Sequence, residues 1–287
     1  MLLASQWRGG STLAESLLFT TSADRLFLLD EPAFAASELA ITHTGVFPNR
    51  LRPVVAQVNA EALRCNFSRY DHGALAHWQE ARANMTGIER LHHSSFGLLR
   101  RECMAHVPER RALKTIRMIG SLGAYLHEYA RLRPDRPSRT VLMVRHPLAI
   151  IRSRSSILAG GVRPQPQPLA QKQERPELNP ATVCSLMLKD VRAALGAPAA
   201  DGVTLLRYSD MLREPYNTAQ RMHGHLRLRT SKELLDAFVR RHMGTQGEAS
   251  TVYGTVRPSR QCDRTNEIPS VPPCAELLRL AHPLFDC

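Results

Sequence analysis

Two short stretches of this 287-residue chain hold the residue types that bind phosphate-like anions. The first is Arg8-Gly9-Gly10-Ser11-Thr12. Its glycines let backbone N–H groups converge, its hydroxyls donate, and a helix starting there adds positive potential. It has neither the lysine nor the full spacing of a G-x-x-x-x-G-K-[ST] loop. Taken alone it also reads as a plain turn capped by Ser or Thr. The second stretch is Arg145-His146-Pro147 with Ser153, eight residues after Arg145. A strand-end arginine and a serine about two helical turns along reach one phosphate if the helix folds back over the strand end. Taken alone, Arg145 reads equally as a surface charge and Ser153 as a solvated hydroxyl. Two such sites on adjacent strand ends are what a nucleotide phosphorylated at both ends requires.

The elements that must position these residues follow from the apolar pattern. Met1 to Ser5 is a short buried strand, and Leu13, Leu17 and Leu18 recur at helical spacing after the glycine turn. Arg25 to Leu29 is a second strand, closed by Asp30-Glu31-Pro32. Pro32 disfavours helix at Glu31, so that carboxylate sits on an extended turn. The segment Leu26 to Pro32 has the look of the Walker B strand of a transporter ATPase. That strand follows its phosphate loop at a much longer interval, and the loop here has no lysine. Ala112 to Met118 and Arg139 to Val144 are further strands, with a helix from Ser121 to about Leu132 between them. Pro147 opens a helix at its first turn. A helix from Ala181 to Leu195, a strand from Val203 to Tyr208, helices from Ser209 and Ser231, and a last helix over Ala275 to Leu280 complete the pattern. Three stretches stand apart: a helical insertion over about 35–110, a Pro/Gln-rich loop over 159–180, and an irregular lid over 244–273. Strands alternating with helices predict an α/β fold, a central parallel sheet with helices on both faces, with ligands at the strands' carboxyl ends.

Composition narrows the partners. The hydrophobic share of 43% and the charged share of 22% are those of a globular chain. Thirty-eight basic against 26 acidic side chains leave a net charge of +12, which suits a polyanionic partner. There is no helix-turn-helix or zinc-finger pattern, and aromatic residues make up only 6%, so nucleic acid is not the expected partner. No apolar run reaches the ~18 to 20 residues that span a bilayer. The six cysteines form no C-x-x-C pair; an even count fits three disulfides or six thiols. Asn66-Phe67-Ser68 and Asn84-Met85-Thr86 are glycosylation sequons.

Several of these motifs together resemble one family. Trp7-Arg8-Gly9-Gly10-Ser11-Thr12-Leu13 is similar to the 5′-phosphosulfate loop of the Golgi carbohydrate sulfotransferases, and Arg145-His146-Pro147 through Ser153 to their 3′-phosphate motif. Glu31-Pro32, Lys114-Thr115-Ile116-Arg117 and Leu206-Arg207-Tyr208-Ser209-Asp210-Met211-Leu212 fall in the family's order, and the resemblance runs from residue 2 to about 257. Gly9 stands where Ser is usual, Leu13 where Phe is usual, and His146 where Asp is common.

The resemblance implies a single P-loop-like, three-layer domain over residues 1–287. It implies transfer of a sulfuryl group from 3′-phosphoadenosine 5′-phosphosulfate to a sugar hydroxyl, the 6-hydroxyl, of a glycan or glycosaminoglycan. Residues 7–13 would hold the 5′ end of the donor. Arg145, His146, Pro147 and Ser153, with Arg257 of the lid, would hold the 3′-phosphate. Glu31 would be the general base, with Asp30, His92 and His93 as the alternatives. Lys114 would stabilise the bridging oxygen, and Arg117 would meet acidic groups of the acceptor. No metal is expected, because basic side chains and backbone donors spread the leaving charge. Tyr208 and Asp210 read as structural, Asp210 as a cap of the following helix. The implied compartment is the Golgi lumen, with any membrane attachment through an anchor absent from this chain. That oxidising compartment implies at least one disulfide, with Cys65 to Cys103 the expected pair because both flank the helical insertion. The competing reading is a non-catalytic relative that grips sulfated glycans, and the presence of Glu31 and Lys114 argues against it.

Overall fold

A computed structural model describes residues 1–4, 10–30, 49–69, 96–116, 119–135, 138–160, 179–197, 202–242, 249–251, 254–256 and 271–280. Five strands form one sheet: β1 (Leu2–Ala4), β2 (Phe27–Asp30), β3 (Arg111–Thr115), β4 (Thr140–Val144) and β5 (Val203–Arg207). Their order is β2-β3-β1-β4-β5 and every neighbouring pair is parallel. The described helices are α1 (Ser11–Thr21), α2 (Arg52–Ala62), α3 (Phe96–Ala105), α4 (Leu122–Leu132), α5 (Pro147–Gly160), α6 (Pro180–Gly196), α7 (Tyr208–Arg213), α8 (Pro215–Leu226), α9 (Lys232–His242) and α10 (Pro272–Leu280).

Both faces of the sheet are covered, so its strands read as continuous apolar runs, not alternating ones. β1, β3 and β4 are buried along their whole length. Leu2, Ala4, Leu29, Leu113, Leu142 and Val144 pack into one core with α2, α3, α4, α5, α6 and α10. Leu3, Leu28, Ala112, Val141, Met143 and Leu206 pack into the other with α1, α7, α8 and α9. This is the expected three-layer α/β arrangement. The chain builds β2 and β3 to one side of β1 and then crosses to β4 on the other. The strand order therefore reverses at β1, where α/β sheets open a crevice at their carboxyl ends.

Several boundaries differ from the sequence expectation. The third strand covers 111–115, not 112–118, with Arg111 inside it and buried. The Arg111 Nε–H reaches the carbonyls of Cys103 and His106, both at 2.9 Å, and these contacts allow a guanidinium to be buried. The helix expected from Ser209 is two helices, because Pro215 lacks an N–H and starts a new one. The stretch 244–273, expected to be an irregular lid, holds two paired antiparallel strands, β6 (Ala249–Thr251) and β7 (Gly254–Val256), favoured by the β-branched Thr251, Thr255 and Val256. The last helix starts at Pro272, where proline suits the first turn.

Two disulfides staple the helical layer that contains α2 and α6. Cys65 and Cys103 join the end of α2 to α3 with Cα atoms 5.7 Å apart, as expected. Cys184 and Cys274 join α6 to α10 at 5.0 Å, a pair the sequence did not single out. Cys262 and Cys287 lie outside the described residues.

Candidate functional site

The loops that follow β1 and β4 leave neighbouring strands, paired from Leu2 with Thr140 to Ala4 with Leu142. The first loop ends in Gly10, whose φ of 96° is left-handed. A Cβ at this position would collide with the Tyr208 ring. Conformation and space therefore both demand glycine here. The Gly10 carbonyl accepts the first helical bond, from Ala14 N–H at 3.1 Å, and no side chain caps α1. The leading amides of α1 thus point out of the helix end beside Ser11, which is buried, and Thr12, which is half-buried. Leu13 turns inward and is core.

At the second loop, Arg145 lays its guanidinium over the Tyr208 ring, Cζ 4.5 Å from the centroid. Such stacking adds roughly 0.5 to 2 kcal/mol and fixes the plane of the cation. Tyr208 follows β5 directly and is buried. One ring thus meets both loops, Gly10 at the end of the first and Arg145 at the start of the second. Sequence reasoning took Tyr208 as structural only; its place at a strand's carboxyl end was the available signal. Asp210 is not a cap. It lies in the first turn of α7 and accepts from Arg207 Nε at 2.8 Å, with Arg221 3.6 Å away.

Pro147 opens α5, which carries Ser153 half-buried and Arg154 buried. His146 precedes that helix, and its carbonyl accepts from Ile150 N–H at 3.1 Å. Lys114 lies one residue before the end of β3, level with Leu3 of β1 and Asp30 of β2. Its side chain is 1% exposed, and Nζ is 3.9 Å from the carboxylate of Glu15 on α1, which is fully buried. Glu15 was not among the residues the sequence singled out.

Trp7, Arg8, Gly9, Glu31, Arg117 and Arg257 lie outside the described residues, as do His92 and His93. Their nearest described neighbours are Ala4 and Gly10 for the loop, Asp30 for Glu31 and Ile116 for Arg117. Among the described residues no group of three or more His, Cys, Asp or Glu side chains could hold a metal ion, and no helix is long and apolar enough to cross a membrane.

No family model matches the chain, and no curated protein matches it. Among solved structures it is similar to the sulfotransferase domain of the Synechococcus PCC 7002 olefin synthase, at 17% identity and a TM-score of 0.50, over 100% of this chain and 94% of that one. A sulfotransferase domain from the curacin biosynthetic pathway aligns at 16% identity and a TM-score of 0.49, over 99% of this chain and 97% of that one. The first likeness concerns the fold: this chain has the P-loop-like architecture of a sulfotransferase domain.

Proposed function

We propose that the chain is a sulfotransferase that binds 3′-phosphoadenosine 5′-phosphosulfate across the ends of β1 and β4 and modifies a glycan hydroxyl. The observation that carries this reading is the convergence of two anion-type loops, from adjacent parallel strands, on Tyr208. The residues suit a donor charged at both ends. One loop offers glycine backbone and hydroxyls at a helix start, and the other offers an arginine held flat by an aromatic ring.

The bound donor supplies a sulfuryl group on a phosphate leaving group. The chain's own part is positioning and charge stabilisation. The amides and hydroxyls at 9–13, with Arg8, orient the 5′ end, while Arg145 and Ser153 anchor the 3′ end. Glu31, one residue past Asp30 at the end of β2, takes the proton from the acceptor hydroxyl. The two disulfides and the +12 charge support an oxidising compartment and an acidic polysaccharide acceptor, consistent with the Golgi lumen.

Calorimetry with adenosine 3′,5′-bisphosphate tests the donor site. Arg145→Ala should weaken binding roughly 10- to 100-fold, the range of a lost charge-assisted contact, and leave the melting temperature close to that of the unchanged chain. Equal affinity in both proteins would remove the second loop from the site. Transfer of radiolabelled sulfate onto a panel of desulfated glycans tests the acceptor, and no transfer to any of them would overturn the glycan assignment.

A further inference from the structure

Among the described residues, an ion pair lies within the second core, a layer that is otherwise mostly apolar. Lys114 enters it from β3, on the same face as Ala112, and Glu15 enters it from α1, beside Leu13, Ala14, Leu17 and Leu18. Both side chains are at most 1% exposed. A lysine buried among such residues without an anion would give up its proton, because burial penalises the charged form. The carboxylate 3.9 Å away opposes that. The separation exceeds hydrogen-bond length, so charge and not a hydrogen bond links these two atoms.

The pair's position gives it a use. Glu15 is four residues after Ser11, so the two side chains lie on one face of α1 a single turn apart. Both are buried there. Lys114 reaches the same level from the strand between β1, which leads into the glycine loop, and β2, which leads to Glu31. We infer that Glu15 is a positioning residue: its carboxylate holds the Lys114 ammonium one turn from Ser11 on α1, so that the ammonium serves the anionic group at the 5′ end of the ligand and not the group held by Arg145. The inference rests on the proposed donor site and adds to it a residue outside both loops.

The two ends of the ligand separate this role from a structural one. Affinities for adenosine 3′,5′-bisphosphate and adenosine 3′-monophosphate are measured by calorimetry for the unchanged chain, Glu15→Gln, Glu15→Asp and Lys114→Met. Glu15→Gln should weaken the bisphosphate roughly tenfold and the monophosphate less than twofold, because only the bisphosphate presents a 5′ group. Glu15→Asp should restore most of the loss, and adding Glu15→Gln to Lys114→Met should weaken binding no further. Should Glu15→Gln fail to fold, the apolar double variant Glu15→Leu/Lys114→Met carries the test, since replacing a buried pair by apolar residues is commonly tolerated. It should bind the monophosphate normally and lose the same preference for the bisphosphate. Equal losses on both ligands, or no loss on either, overturn the role of Glu15 while leaving the donor site standing. An unchanged chain that binds neither ligand overturns the donor site and this inference with it.

Discussion

Gly10 is the residue whose identity the structure constrains most tightly. Its left-handed φ and the Tyr208 ring against its α-carbon exclude any side chain. Gly10→Ala should cost about 1–3 kcal/mol, part from backbone strain and part from the ring. Thermal denaturation of Gly10→Ala in a Tyr208→Ala background separates the two, because there only the backbone part should remain. Glu31 makes a different demand. Glu31→Gln should keep bisphosphate affinity within a few-fold and lower turnover by about 10² to 10⁴, the usual contribution of a general base. Normal turnover in this variant would move the base to another residue, Asp30 first. Gly10 was legible in the chain as a loop glycine. That its neighbour is Tyr208, nearly two hundred residues later, was not.

At the level of elements, α1 is held at both ends. Gly10 lies at its start, the Glu15–Lys114 pair at its middle, and His223 of α8 at its end. The Leu18 carbonyl can only accept, so it assigns the proton of His223 to Nε2, 3.3 Å away, and the Thr230 hydroxyl donates to Nδ1 at 2.8 Å. Both contacts suit neutral imidazole, and burial lowers the His223 pKa from its ordinary value. The stability this brings is present above the ordinary histidine value of about 6.5 and is lost as pH falls through the lower folded value. The unchanged chain should therefore lose stability relative to His223→Gln when pH drops from about 7 to 5, as urea titrations at both values would show. A gap that does not change with pH would mean that His223 takes up its proton equally in the folded and the unfolded chain. A second clamp joins α4 to α6: Asp190 accepts from the N–H groups of Gly120 at 2.7 Å and Leu122 at 3.0 Å. Burial pushes its carboxyl up to about 7 against the pull of these bonds.

Over the whole molecule, the disulfides close chain separations of 38 and 90 residues within the layer of α2, α3, α6 and α10. Closing loops of this length restricts the unfolded chain and stabilises the fold by a few kcal/mol per bridge. Replacing Cys65 and Cys103 together by serine should cost about 2–4 kcal/mol, and a reducing agent should lower the melting temperature of the unchanged chain. A melting curve indifferent to reductant would show that these bridges do not restrict the unfolded state.

The alternation of strand and helix, the glycine turn before α1, the cation after β4 and the proline that opens α5 are all local features, and each was legible because a short stretch of chain specifies it. The Cys65–Cys103 bridge was expected from its two ends. What no local pattern carried is which elements become neighbours. The position of β1 between β3 and β4 decides that the loops following β1 and β4 leave the sheet at one edge. The pairing of Cys184 with Cys274 depends on α10 packing against α6. The contacts of Tyr208 with Gly10 and Arg145, and of Glu15 with Lys114, join residues far apart in the chain. Chain order and periodicity determine elements, but side-chain partners across a sheet exist only after the layers pack. The second bridge and the buried ion pair therefore belong to the tertiary structure alone.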